Sequence, residues 1–64
     1  MRFIKIKDVV ARTGMPKASI YFAIAKGQFP VQLKVSSRSV VWNESEIEEW
    51  MLNCIAQRNT QLAR

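Results

Sequence analysis

Histidine is absent from this sequence, and cysteine occurs once, at Cys54. A lone thiol forms no intramolecular disulfide, and without imidazole or further thiolates the usual zinc ligand sets cannot be assembled. Glycine and proline occur twice each, too few for a flexible linker or a glycine-rich loop that cradles phosphate. No apolar run approaches the roughly 20 residues needed to cross a bilayer. The start, Met1-Arg2-Phe3-Ile4-Lys5-Ile6-Lys7, alternates charged and apolar groups and lacks the hydrophobic region of a signal peptide. These absences lead us to expect a cytoplasmic protein with no membrane partner, no metal and no cofactor.

Acid is scarce over most of the chain. Residues 1 to 42 hold eight Lys and Arg against Asp8 alone, whereas the four glutamates all fall between Glu44 and Glu49. The net charge is +5 over 64 residues. A basic first two-thirds beside a short acidic segment suggests a surface that faces a polyanion, although charge by itself fits any soluble basic protein equally well. With 48% hydrophobic and 23% charged residues the composition is globular. A chain this short buries only about 60% of its extended surface, so one small core is the most it can build.

The chain punctuates itself. Phe3, Ile4 and Ile6 make a short extended lead-in. Asp8 then favours the positive end of a first helix, Val9, Val10 and Thr13 recur at helical spacing, and Gly14 stops the run in a left-handed conformation. Pro16 suits the start of a second helix that ends at Gly27. Advancing about 100° per residue from Ile20 places Ala23 and Ile24 on one inward face, with Phe22 almost opposite. The outward face then reads Ala18, Phe22, Ala25, edged by Ser19, Tyr21 and Lys26. From Val31 the period falls to two, with Val31, Leu33 and Val35 alternating with Gln32 and Lys34. Ser36-Ser37-Arg38 turns the chain and Val40-Val41-Trp42 returns, a hairpin that needs helices to pack on. Asn43 and Glu46 stand as N-cap and N3 of a last helix. Its stripe, Ile47, Trp50, Met51, Cys54 and Ile55, closes the core. Trp42, Trp50 and Ile20 are expected inside, and Cys54 is read as a small hydrophobe. Residues 57 to 64 turn polar and are expected to fray or to order against a partner, with Leu62 a weak continuation of the stripe.

This order predicts an α+β, mainly helical fold over residues 1–56, followed by the polar 57–64 tail: a small winged helix-turn-helix, with a two-stranded wing and a closing C-terminal helix. In such a unit the first helix supports the second, the second lies in a DNA major groove, and the hairpin reaches backbone or an adjacent minor groove. Four blocks of residues carry a closer resemblance. They are Val9 to Met15, then Ser19-Ile20-Tyr21, then Gly27-Gln28-Phe29-Pro30, and lastly Arg38 with Val41 to Ile47 and Trp50. In these the chain resembles the AlpA family of phage and mobile-element regulators, which are related to excisionases and to MerR-type DNA-binding domains.

That resemblance, over about residues 3 to 55, implies sequence-specific binding to double-stranded DNA. The role implied is either a recombination directionality factor that steers an integrase beside an attachment site, or a transcriptional regulator; the first is the reading taken, because nothing in the chain is left over to sense a ligand, and the second is the alternative. Several copies on repeated sites, and an integrase, are the partners it implies. The chain departs from the family pattern at Phe22 and Val41, where members often carry a basic residue, and at Ser36-Ser37, where they tend to carry Gly-Pro.

The candidate DNA-contacting residues are Lys17, Ala18, Ser19, Tyr21, Phe22, Lys26, Lys34, Ser36, Ser37 and Arg38. Lys17 and Arg38 sit where a helix start and a wing tip meet phosphate or a narrow minor groove. Phe22 and the methyls of Ala18 and Ala25 suit thymine methyls. Phe22 suits equally well a contact with the hairpin or a neighbouring copy. Lys26 also complements its own helix dipole, and serines in a turn need no function. Arg12 is divided between backbone contact and solvent. An enzyme is not expected: Glu44 and Glu46 serve the helix start, Glu48 and Glu49 are read as facing solvent, and no nucleophile–base pair exists. A protein-interaction module with only nonspecific DNA binding stays as a further reading.

Overall fold

The computed structural model describes residues 2–62, the last two by their backbone alone. The elements run β1 (Phe3–Ile4), α1 (Ile6–Thr13), α2 (Lys17–Ala25), β2 (Leu33–Lys34), β3 (Val40–Asn43) and α3 (Glu44–Leu62). The strands form one antiparallel sheet in the order β1-β3-β2. Phe3 and Ile4 pair with Asn43 and Trp42, while Leu33 and Lys34 pair with Val41 and Val40. The lead-in is therefore a third strand, and β3 is the centre of the sheet. Its ladder runs into the last helix, because the Glu44 amide donates to the Arg2 carbonyl at 2.8 Å.

Both glycines end helices. Gly14, at φ 73°, donates its amide to the Val10 carbonyl and lets the chain turn into α2. Thr13 tightens that turn, its hydroxyl donating to the Val9 carbonyl at 2.8 Å and accepting the Met15 amide at 3.2 Å. Gly27, at φ 71°, closes α2 with a Schellman pair, Gly27 N–H to Ile24 O and Gln28 N–H to Ala23 O. Pro16 is the N-cap of α2 in extended conformation, one step earlier than a first-turn proline. Asn43 Oδ1 accepts the Ser45 amide at 3.0 Å at the start of α3, with Glu44 and Glu46 in the first turn.

The core is Ile4, Val9, Ile20, Phe29, Trp42 and Ile47, with Met15, Ala23, Ile24, Trp50 and Met51 packed around it. Trp42 is fully buried and its indole N–H donates to the Pro30 carbonyl at 3.1 Å. Trp50 is half-buried rather than central. Its indole N–H donates to the Gln28 carbonyl at 2.9 Å, and its ring meets Phe29 edge-on at 4.7 Å.

Two expectations fail for one reason: there is little core to pack against. Val31, Leu33 and Val35 alternate as a half-buried strand would, yet all three are exposed and β2 is two residues long. Cys54 lies on the helical stripe but is exposed, because α3 has already left the globule at that point. Residues 52–60 of α3 are all exposed. The helix nevertheless continues past Ala56 through Leu62, where the polar composition suggested fraying. No glycine or proline interrupts it, and Gln, Arg, Leu and Ala are good helix formers. The Leu62 side chain lies outside the described residues.

Trp42→Ala should remove about 3–5 kcal/mol from a domain whose whole stability is roughly 3 to 10 kcal/mol for its length. The variant is expected to lose at least a third of its urea midpoint, followed by far-ultraviolet circular dichroism. Trp42→Phe should keep a cooperative urea transition at a lower midpoint.

Candidate nucleic-acid interface

Each candidate residue falls on the surface. Lys17, Ala18, Ser19, Tyr21, Phe22, Lys26, Lys34, Ser36, Ser37 and Arg38 are all exposed. The helical projection of α2 holds: Ile20 is buried, Ala23 and Ile24 are half-buried, and Ala18, Phe22 and Ala25 look outward. Phe22 is 63% exposed and so does not pack on the hairpin of its own chain. What touches it is Lys26, whose Nζ stands 4.6 Å from the ring centroid. This cation–π contact fixes one side of the ring and holds the ammonium over the apolar surface. Tyr21 lies at the flank, its ring edge-on to Trp42 at 6.1 Å and 62°. Through that contact α2 leans on the central strand, which in turn carries β2 and the wing.

At the wing tip the Val35 amide donates to the Ser39 carbonyl at 3.0 Å, and the Ser39 amide to the Ser36 carbonyl at 3.4 Å. Ser36 Oγ accepts the Arg38 amide at 3.4 Å. The Ser36 oxygen is thus engaged in shaping the turn, and its O–H remains to donate outward. Arg38 stands at the end of this turn, exposed.

The charges divide into two groups. Arg12 is neither a solvent cation nor a free one: its Nη2 pairs with Glu44 Oε2, and its Nη1 lies 3.7 Å from Glu48 Oε1. Arg2 Nη1 is 3.9 Å from the same Glu44 oxygen. Glu48 faces solvent as expected while lying within reach of Arg12, and Glu44 serves both as helix-start acid and as clamp on α1. Among the described residues the ion pairs gather here, and none involves Lys17, Lys26, Lys34 or Arg38. The cations on α2 and the wing keep their full charge for an outside partner. Sequence reading missed this cluster because Arg12 and Glu44 are far apart in the chain. Their only local signal was a base in the last turn of α1 and an acid in the first turn of α3.

Val41 is 6% exposed. A basic residue at this position in other sequences would have to reach past the strand, and here the position contributes packing alone.

Two short helices joined by a glycine turn, the second with its outer face bare, then a basic hairpin and a closing helix, define a winged helix-turn-helix. The comparison with known families agrees: the family model described as prophage CP4-57 regulatory protein (AlpA) matches residues 2–55, and the chain belongs to that family of regulatory proteins. It is 37% identical over 57 residues to an uncharacterized protein, ORF88, of Enterobacteria phage P4. That match covers 89% of the chain and 65% of the phage protein, so the chain spans just under two thirds of that relative's length. It is also 32% identical over 57 residues to the DNA-binding transcriptional activator AlpA of Escherichia coli K12, covering 80% of the chain and 81% of the relative. Among the described residues no helix is long and apolar enough to cross a membrane.

The Arg12–Glu44 pair is partly shielded, which puts its coupling near the upper end for surface pairs, about 1 kcal/mol. Arg12→Gln and Glu44→Gln should each lower the urea midpoint, and the double variant should lose less than the two combined. A coupling of zero in that cycle would show that the pair does not brace α1 against α3.

Proposed function

We propose that the protein is a sequence-specific double-stranded DNA-binding regulator of a phage or integrated element, with α2 as its recognition helix and the hairpin as a wing. The observation that carries this reading is the pairing of a bare apolar α2 face with cations that no internal acid neutralises. Lys17 at the helix start, Lys34 on β2 and Arg38 at the wing tip engage phosphates or a narrow minor groove. Ser36 and Ser37 donate to phosphate. Ala18, Phe22 and Ala25 read thymine methyls, with Ser19 and Tyr21 at the base edges and Lys26 held against Phe22. The fold, the family and the name of the Escherichia coli relative, a DNA-binding transcriptional activator, support this reading, and they favour promoter DNA as the target.

Recombination directionality is the second reading. The same surface placed on repeated sites beside an attachment sequence, with bending of the DNA and contact to an integrase, would steer recombination toward excision. The exposed apolar residues of the wing, Val31, Leu33 and Val35, favour it, because they offer a protein neighbour something to cover.

The test is selection of bound duplexes from the DNA flanking this gene, at about 0.15 M salt with excess competitor, where specific and nonspecific binding separate. Enrichment of a promoter with little bending identifies a transcription regulator. Repeated sites beside an attachment sequence with a strong bend identify a directionality factor. No enrichment overturns the DNA-reading proposal. On the enriched site, Lys17→Ala and Arg38→Ala should each weaken binding to all sequences and flatten the salt slope by about one unit. Phe22→Ala should leave the salt slope unchanged and relax preference at one or two base pairs. Unaltered selection with lost cooperativity would instead move Phe22 to a contact between copies.

A further inference from the structure

The overhanging half of α3 carries a pattern that neither the core nor the proposed DNA surface uses. The helix is 19 residues long and the molecule measures 47 Å along its longest axis against 24 and 19 Å across. The helix is held by Ile47, Trp50 and Met51 and then projects, with residues 52–60 all exposed. A free helical segment of about 11 residues is marginal in water unless something packs on it. Leu52 is 65% exposed and Ile55 is 46% exposed. With Glu48, Asn59 and Leu62 they fall at alternating spacings of four and three residues. That is the seam of a two-helix coiled coil, set roughly 100° around the helix from the Ile47 face that meets the core.

We infer that this seam is a contact surface for a second copy of the same chain, paired antiparallel along α3. Charge decides the occupant and its direction. The first half of α3 carries Glu44, Glu46, Glu48 and Glu49, and the second half carries Arg58 and no acid. A parallel pair would set acid beside acid, whereas an antiparallel pair sets the acidic half of each copy beside the basic half of the other. One register satisfies both layers. Leu52 faces Ile55 of the second copy, twice by symmetry, and Glu48 faces Asn59 with Arg58 of that copy beside it. Glu48 is exposed along its side chain even while Arg12 approaches it, so its outer side is free to meet a second guanidinium. Such a contact is isologous, as a twofold pair requires. It places the two recognition helices in inverted orientation, so the contact suits inverted half-sites rather than tandem ones.

Two Leu–Ile layers bury far less than the roughly 1,200 Å² of a stable interface. The free dimer therefore forms only at high concentration, and adjacent sites on one duplex strengthen it by raising the local concentration.

Sedimentation equilibrium of the full chain without DNA tests the proposal independently of DNA binding. A monomer–dimer equilibrium is expected at submillimolar protein, weakened at least tenfold by Leu52→Glu and by Arg58→Glu, with thermal unfolding unchanged at micromolar protein, where the chain is monomeric and both residues are exposed. Register is read in a Cys54→Ser background by mixing Leu52→Cys and Ile55→Cys chains under oxidation. The mixture should cross-link more than either chain alone. A monomer at every concentration up to about 1 mM overturns the proposal, since the effective concentrations it relies on are millimolar. Stronger cross-linking of Leu52→Cys alone also overturns it, because that result marks a parallel pair.

Discussion

The rest of the structure depends on burying one indole. Trp42 sits on the central strand, opposite Ile4 of β1, with Tyr21 of α2 edge-on to its ring and its N–H on the Pro30 carbonyl. A buried indole left without an acceptor would cost about 1–3 kcal/mol, a large share of the stability of so short a chain. The loop after α2 is therefore constrained to bring Pro30 to that nitrogen. In the same stroke it fixes where α2 ends and where the wing begins. Phe29, one residue earlier, is pinned by Trp50 from the other side, and Gln28 accepts the second indole N–H. Two tryptophans thus hold three successive residues, Gln28 to Pro30, and through them the geometry between the helix and the hairpin.

The charge layout complements this core. Ten basic residues on so small a chain repel one another. Glu44 and Glu48 relieve part of that repulsion by taking Arg2 and Arg12, and the relief falls on the side where α1 meets α3. Among the described residues the cations with no acid beside them include Lys17, Lys26, Lys34 and Arg38 of α2 and the wing, together with Lys5, Lys7 and Arg58 elsewhere. On the proposed reading, a polyanion brought to α2 and the wing meets no competing acid there, whereas Arg2 and Arg12 are already paired.

What could be read from the sequence was what local physics decides. Pro16 and Gly27 bound α2, and the 100° step placed Ile20 inside and Phe22 outside, because those features need no knowledge of the remainder of the chain. Gly14 announced its left-handed turn for the same reason. What could not be read was set by how much of the chain the core can cover. Val31, Leu33 and Val35 carry the alternation of a half-buried strand, and only the size of the globule leaves them bare. Cys54 is in phase with Ile47 and Met51, yet phase says nothing about how far the globule extends beneath the helix. Phe3 and Ile4 are too few to signal a strand, and their pairing is imposed by β3. The Arg12–Glu44 clamp joins distant segments and has no periodicity at all.

Phe22 is where these constraints meet function. Placing an aromatic at the outward centre of α2 gives up a cation that would have gained affinity from every phosphate backbone. On the proposed reading, what replaces it is a contact that would distinguish one base edge from another without salt dependence. Lys26, lying on the ring, returns some of the lost charge without pointing it directly at the backbone. A reader built in this way binds each single site less tightly and discriminates between sites more sharply. Such an arrangement works when several weak contacts act together, since linked binding events multiply where one alone is insufficient. The α3 seam inferred above would supply that linkage. The exposed aromatic on one helix and the exposed Leu–Ile pair on another are then two halves of one solution. On the two proposals together, specificity would come from the first and occupancy from the second.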